Sequence, residues 1–405
     1  MDTTPPPEAP ECPVTEFGRL REQAPTVEMP GLGDEPMFMV TRHDDVRAVL
    51  TDPRFRSDPD SVDGASRTLA TLFETLGLPD DLAYLSRGLL TRDGADHSRL
   101  RGLVSRAFTV RRVNALRPRV ETITAGLLDD VAAAGAGGRP VDLVTTFAYP
   151  LPVAVICELV GVPGDQRARW QELGGLLFNP DPERMPGVAR AVVAQLRELI
   201  EARRAVPADD LVSALVRVHD DGDRLTEREM ITMVFDLVTA GFETTAHLIS
   251  KAVLALLTRP DQLAALRADP GLWPGAVHEL VRTCGPIPTG LPRHAATDIE
   301  IGGVTIPQGA GVLPGLLPAN FDPRSYDAPG ELDVRRDTGR GDGHLGFGQG
   351  AHYCLGAALA RQESEVALRA LVTRFDRLRL GSAADAPQPS HLGFHRLPEL
   401  LVRVS

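Results

Sequence analysis

Long apolar runs are missing from this chain of 405 residues. No stretch reaches the roughly 18 consecutive apolar residues that a membrane-spanning helix needs. The start, Met1 to Pro13, is acidic and proline-rich. It lacks the basic opening and apolar core of a signal peptide, so neither an anchor nor export is expected, and the chain is read as cytoplasmic. Cysteine is scarce: Cys12, Cys157, Cys284 and Cys354, with no Cys-x-x-Cys spacing. That excludes a disulfide scaffold and a zinc site built on paired cysteines, and leaves reduced thiols as the simpler reading. Lysine is all but absent. Lys251 is the only one, and arginine carries the positive charge; base composition of the gene explains that, and it is given no functional weight. The net charge of -12 speaks against a general nucleic-acid binder, which is usually basic.

What is present is a globular composition. With 43% hydrophobic and 24% charged residues, the chain has ample material for a large core. No internal repeat is visible, and low complexity is confined to the start and to patches such as Ala132 to Gly138. Residues 1–20 are expected to be a disordered N-terminal segment, and 21–405 a single domain, because no clean linker divides them.

Most of the chain reads as helix. Val120 to Ala134 and Val188 to Arg204 carry apolar residues at helical spacing, and Leu151 to Val160 is a short apolar helix ending before Gly161. The longest element opens on Thr226 and Glu229, spaced as a capping box, and runs apolar through Leu257 until Pro260 stops it. A helix of about thirty residues is roughly 45 Å long and must cross the whole molecule. Its middle holds Gly241, Glu243, Thr244 and Thr245, polar groups that need a reason in an apolar element. Strand signals are few: Met37 to Thr41, a hairpin Ile299 to Ile306 centred on Gly302-Gly303, and Ala310 to Leu317. The fold class is therefore mainly α with a small β portion.

One segment carries the chemistry: Phe347-Gly348-Gln349-Gly350-Ala351-His352-Tyr353-Cys354-Leu355-Gly356, followed by a helical run, Ala357 to Leu371. Its glycines make a tight loop whose backbone can approach a flat partner closely. The loop delivers a single thiol to a helix N-terminus, where free amides and the helix dipole favour thiolate. One thiolate cannot build a zinc cage, but it can supply the single axial bond that a haem iron lacks. A structural cysteine in a glycine-rich turn is the plain alternative. For the other cysteines the plain reading holds: Cys157 sits in an apolar helix as a core residue, and Cys12 and Cys284 have no supporting pattern.

The segment resembles the haem-binding loop of the cytochromes P450, whose letters Phe, Gly, Gly, His, Cys and Gly stand here as Phe347, Gly348, Gly350, His352, Cys354 and Gly356. The resemblance extends from the Met37 strand to Leu397-Pro398 and points to soluble bacterial, actinobacterial-type, ferredoxin-dependent monooxygenases. It implies a cytochrome P450 fold with the long helix over haem b (iron protoporphyrin IX), and Cys354 as the iron ligand. Ala240-Gly241-Phe242-Glu243-Thr244-Thr245 then looks like the oxygen-activation segment. Breaking the O–O bond needs protons, and the resemblance makes Thr244 the alcohol and Glu243 the acid, with Gly241 leaving room for dioxygen beside Ala240. A threonine pair can also simply bond back to helix carbonyls.

By the same resemblance, His97, Arg101, Arg293 and His352 face the haem propionates, since a buried dianion needs cationic donors. Glu279 and Arg282, three apart on one helical face, form a structural ion pair bracing the cysteine loop. Three departures are visible: Asp93-Gly94-Ala95-Asp96 for Asp-Pro-Pro-Glu, Asn320-Phe321-Asp322 for Asn-Arg-Asp, and Glu331 where many relatives have arginine. The last two put the usual basic partner of the Glu279–Arg282 pair in question.

No flavin or iron–sulfur segment is evident, so electrons are expected from NAD(P)H through a ferredoxin reductase and a ferredoxin. Residues 98–120 contain Arg99, Arg101, Arg106, Arg111, Arg112, Arg117 and Arg119 and no acid. In the family this region lies on the cysteine side, which makes Arg99, Arg106, Arg111 and Arg112 candidates for docking an acidic ferredoxin; a solvated basic helix face is the alternative. By analogy the substrate pocket includes Leu237, Ile287, Thr289, Gly290, Leu291, Leu392 and Phe394, mostly apolar, which suits an apolar small molecule. The expected reaction is hydroxylation or epoxidation of a natural-product intermediate of the kind found in antibiotic and other secondary metabolism, such as a polyketide or macrolide, terpenoid or peptide, by a monomeric enzyme. Oxidative coupling and peroxide-driven oxidation use the same scaffold, although peroxide-driven relatives tend to lack the acid–alcohol pair. A non-enzymatic haem sensor would have no need of Glu243 and Thr244.

Overall fold

The computed structural model describes residues 13–31, 36–65, 77–178, 181, 183–217, 225–337, 343–381, 388–389 and 394–405. The long helix spans Glu227–Leu257, 31 residues. Both halves of its capping box are made: Glu229 N–H donates to Thr226 Oγ1 at 3.2 Å, and Thr226 N–H donates to Glu229 Oε2 at 2.8 Å. Its stretches 230–234 and 245–253 are buried on all sides, because they run through the main core rather than over the surface. Helices Pro150–Val160, Met185–Ala205, Trp273–Cys284 and Ala357–Arg374 pack around it, as do the short 3₁₀ turns Asp80–Ser86 and Leu89–Thr91. Pro260, at the first turn of the next helix, Pro260–Ala268, fits the stop expected after Leu257.

The β portion is small. A five-stranded sheet runs in the order Thr26–Pro30, Pro36–Val40, Gly311–Pro314, Arg293–Ala295, Phe55–Arg56. Its central parallel pair sets Phe38 opposite Val312. A smaller apolar cluster of Phe38, Val40, Val46, Val49, Phe55 and Val312 fills the space between this sheet and helix His43–Thr51. The expected hairpin is present, Ile299 facing Ile306, and its turn residues Gly302 and Gly303 both have positive φ, 59° and 80°. That combination is the two-residue turn that glycine permits.

Two expectations are corrected. The strand expected over Ala310 to Leu317 ends at Pro314, and Leu316–Asn320 is a short helix. The last bond of the parallel ladder is Gly315 N–H to Val40 O at 2.8 Å, after which Leu317 N–H donates to Pro288 O at 2.9 Å and the chain leaves the sheet. The second correction concerns the N-terminal segment 1–20, whose last part is helical: Pro13–Gln23 forms a helix. Phe17 of that helix stacks on His395 with ring centres 6.1 Å apart, and the buried Arg21 just beyond residue 20 donates to Pro318 O at 2.9 Å. Residues 1–12 lie outside the described residues.

Candidate active site

The cysteine loop is held by its own backbone. Cys354 N–H donates to Phe347 O at 2.9 Å, and Gly348 N–H donates to Leu345 O at 2.9 Å. Gly350 has φ 76°, and a Cβ there would sit 2.6 Å from Leu50 O, so only glycine lets the loop lie on helix His43–Thr51. Gly356 caps the helix Ala357–Arg374. Cys354 is thereby presented at a helix N-terminus, and it is exposed. Although the residue is accessible, the protein crowded around its sulfur desolvates it and pushes the thiol pKa up, while the amides of Gly356 and Ala357 and the guanidiniums of Arg101 and Arg361 favour thiolate. Arg361 also lies over the Phe347 ring, 5.4 Å from its centre, and Arg101 donates to Tyr353 O at 2.7 Å. Both arginines thus fix the loop as well as its electrostatics.

Behind the loop, Glu279 and Arg282 form the expected pair, fully buried and bidentate: Nε to Oε2 at 2.7 Å and Nη2 to Oε1 at 2.8 Å. The basic partner in question is present despite Phe321 and Glu331. Arg336 Nε donates to Glu279 Oε1 at 3.1 Å. Phe321 and Tyr326 place their rings 5.5 and 5.0 Å from the Arg282 guanidinium carbon. Glu331 contributes only its carbonyl, 3.2 Å from Arg282 Nη2. The network reaches the loop through Asn320: its carbonyl accepts from Arg282 at 2.7 Å, and its side-chain oxygen accepts from Leu345 N–H at 2.7 Å.

The cationic residues expected at the propionates come together. The His97 and His352 rings lie 4.2 Å apart, His352 Nε2 is 3.2 Å from Ser57 Oγ, and Arg293 bonds to the same Ser57 oxygen. Asp93, a residue noted only as a departure, stands 3.5 Å from His352 Nε2. His97 is buried, and its Nε2 has no hydrogen-bond partner among the described residues. Burial, with His352 and Arg101 nearby, lowers its pKa to about 4. Burial likewise lowers the pKa of Arg101 and Arg293. Buried cationic donors with a ring nitrogen left over are the donor set that a buried dianion requires. Among the described residues no cluster of three or more His, Cys, Asp or Glu could hold a metal by itself. A lone exposed thiol beside such a cluster would suit an iron whose other ligands come with a carboxylate-bearing porphyrin.

The middle of the long helix is accessible, although the stretches on either side of it, 230–234 and 245–253, are buried. Ala240 is exposed, and Leu237, Gly241 and Thr244 are half-buried. A helix enclosed by other elements can be accessible there only along an internal space. Thr244 faces it and donates to Ala240 O at 2.8 Å; Thr245 donates to Gly241 O at 3.1 Å. Both threonines therefore bond back one turn, and only Thr244 remains accessible. Glu243 is not beside it. Glu243 is buried, with Oε1 2.8 Å from His247 Nε2 on the same helix. Burial, with Glu243 close by, raises the pKa of Tyr149. A Cβ at Gly241 would meet Ile156 Cδ1 at 3.2 Å, so its missing side chain also serves close packing against helix Pro150–Val160.

The expected pocket residues are divided between the two cores. Leu237 and Phe394 pack against the main core, and Ile287 against the sheet core. Thr289 and Gly290 are half-buried, Leu291 is exposed, and Gly290 N–H donates to Pro314 O at 2.8 Å. Leu392 lies outside the described residues. The arginine run is less bare than its sequence suggests. Arg99 pairs with Glu229, Arg112 with Asp209 at 3.4 Å, Arg117 with Glu121 and Glu365, and Arg119 with Glu158. Arg106 is partnered too. Arg111 is exposed and has no ion-pair partner among the described residues.

His247, Arg336, Asp93 and Ser57 were missed in the sequence. His247 had a usable signal, standing four residues after Glu243 inside an apolar helix. The other three act across long separations and left none.

Comparison with known proteins agrees with this geometry. The family described as Cytochrome P450 matches residues 272–400. The chain is 45% identical over 374 residues to the 6-deoxyerythronolide B hydroxylase of Saccharopolyspora erythraea, covering 91% of this chain and 90% of that protein. It is 41% identical over 372 residues to the mycinamicin IV hydroxylase/epoxidase of Micromonospora griseorubida, covering 90% and 88%. Among solved structures, the bacillaene polyketide synthase cytochrome P450 PksS of Bacillus subtilis 168 superposes with a TM-score of 0.87 at 34% identity, over 97% of both chains. The chain belongs to the cytochrome P450 family, with the haem iron cofactor that the family implies. It is a monooxygenase. No helix among the described residues is long and apolar enough to cross a membrane.

Proposed function

We propose that this monooxygenase ligates haem b through Cys354 and inserts one oxygen atom from O2 into a natural-product intermediate, a polyketide or macrolide being the class its relatives' names favour. The observation that carries the reading is the loop that presents one exposed cysteine at a helix N-terminus, with His97, Arg101, Arg293 and His352 gathered around it. When bound, haem supplies the redox-active iron. The chain's own residues do the rest. Cys354 gives thiolate electron density from one side. His97, Arg101, Arg293 and His352 hold the propionates and leave no buried carboxylate without a partner. Thr244, its proton on Ala240 O, keeps lone pairs for a donor in the accessible space and can pass a proton on when water replaces it. Glu243, held by His247, acts as a charge behind that helix turn and reaches Thr244 through water, not by direct contact.

Electrons come from NAD(P)H through a ferredoxin reductase and a ferredoxin that docks on the cysteine side near Arg111. The enzyme works as a cytoplasmic monomer. The test is the carbon monoxide difference spectrum of the reduced protein beside Cys354→His. A strongly red-shifted Soret band in the wild type, lost in the variant, is expected. A wild-type spectrum of imidazole ligation, or no haem at all, overturns the reading.

A further inference from the structure

The long helix carries a second acid that the reaction does not use. Asp236 lies one turn before Ala240, the exposed residue of the accessible strip, and is itself half-buried. Its Oδ2 accepts from Leu89 N–H at 3.2 Å. The carboxylate presses so close to the Gly88 backbone that a Cβ there would lie 2.1 Å from Oδ2. Asp236 therefore sits where the long helix meets the segment Gly88–Thr91, on the same helix face as the accessible Ala240. Among the described residues no arginine, lysine or histidine pairs with it. Every other buried carboxylate described above has a basic partner: Glu279 has Arg282 and Arg336, and Glu243 has His247. Burial raises the Asp236 pKa to about 7, opposed only by the Leu89 amide. A desolvated carboxylate without a counterion is costly, and a cation brought to it is bound strongly because neither group keeps its water.

We propose that Asp236 is the counterion for a protonated amine on the substrate, so that the molecule oxidised is an apolar skeleton carrying a basic nitrogen. This rests on the oxygenase reading above and narrows its substrate class. With the ammonium at Asp236 and the skeleton along Leu237 and Ala240, the end remote from the nitrogen reaches toward Thr244, two turns along the same helix. Charge pairing fixes which end of an otherwise featureless apolar molecule meets the oxidant.

The competing role for Asp236 is purely structural, a tether from the helix to Leu89. Asp236→Asn separates the two, since asparagine keeps an oxygen for the Leu89 N–H and loses the charge. Asp236→Ala, which removes both, is the second variant should the first fail to accumulate. The probes are N,N-dimethyloctylamine, cationic at pH 7, and octyl methyl ether, its neutral counterpart. Binding to the haem-loaded protein is measured by calorimetry and by the Soret shift. The wild type is expected to prefer the amine by at least about tenfold, and the variant to lose that preference with ether binding unchanged. No amine preference in the wild type, or a preference that survives in the variants, overturns the proposal. The carbon monoxide spectrum of the same samples reports separately on thiolate ligation, so failure of the oxygenase reading is seen independently of failure at Asp236.

Discussion

The two sides of the site are built on opposite principles. On the cysteine side the ion-pair network is filled: Glu279 is held by Arg282, Arg336 and the Asp333 amide, and Arg282 by the carbonyls of Asn320, Pro329 and Glu331. On the long-helix side polar atoms are left over. Among the described residues, Glu243 Oε2 and His247 Nδ1 are buried without hydrogen-bond partners, and Asp236 has a single amide. A saturated network has one low-energy arrangement and suits a ligand that must not move. Unfilled hydrogen-bonding capacity is tolerated where water, protons or a substrate are to supply it. The contrast separates the part that holds the cofactor from the part that handles changing partners.

The strongest way to break this contrast is to unbalance the saturated side. Glu279→Gln keeps the shape but leaves Arg282 buried and Arg336 beside it without a counter-charge. It is expected to cost about 3–5 kcal/mol, the usual penalty for removing one member of a buried pair. The measurement is denaturant unfolding together with haem content per protein; unchanged stability would mean the network is not a brace. The second side should respond differently. Thr244→Ala removes a bond back to Ala240 O and is expected to shift stability by less than about 1 kcal/mol. Product formed per NAD(P)H is expected to fall by on the order of tenfold, short of the ~10²-fold cost of a fully lost proton donor because water can stand in, with peroxide released instead. Unchanged coupling would remove Thr244 from the proton path.

The same contrast explains what could be read in advance. The cysteine loop, the Glu279–Arg282 spacing and the capping box of the long helix are local patterns whose physics closes within a few residues, and all three are present as expected. Arg336 escaped because it meets Glu279 across 57 positions, and no local spacing announces such a meeting. The packing of Gly241 was not legible for a related reason: its missing Cβ makes room for Ile156, on a helix some 85 residues away in the chain. Glu243 was read correctly as an acid in an apolar helix, but its direction depends on His247 one turn later. The strand Gly311–Pro314 is shorter than its sequence suggests because the apolar run continues past it into helix Leu316–Asn320.

The smallest expected effect sharpens the electron-entry face. The arginine run on helices Gly94–Ala107 and Val110–Ala134 reads in sequence as a stripe of uncompensated charge, yet Arg99, Arg112, Arg117 and Arg119 are all paired with acids from other elements. Paired charges steer a partner weakly, because the acid cancels the field within about a Debye length. Arg111 is the exception and sits at the start of a helix that packs against Ala357–Arg374, where Gln362 donates to Val113 O at 3.0 Å. That places it on the side of the loop that presents Cys354. Arg111→Glu should therefore slow reduction by a ferredoxin by roughly two- to fivefold at low salt, and the difference should vanish as ionic strength rises. Arg112→Glu, at a position already paired with Asp209, should do less. Stopped-flow reduction under carbon monoxide reads both rates. Equal effects at the two positions would mean that the local pairing does not govern docking, and no effect at either would move the docking face elsewhere on the molecule.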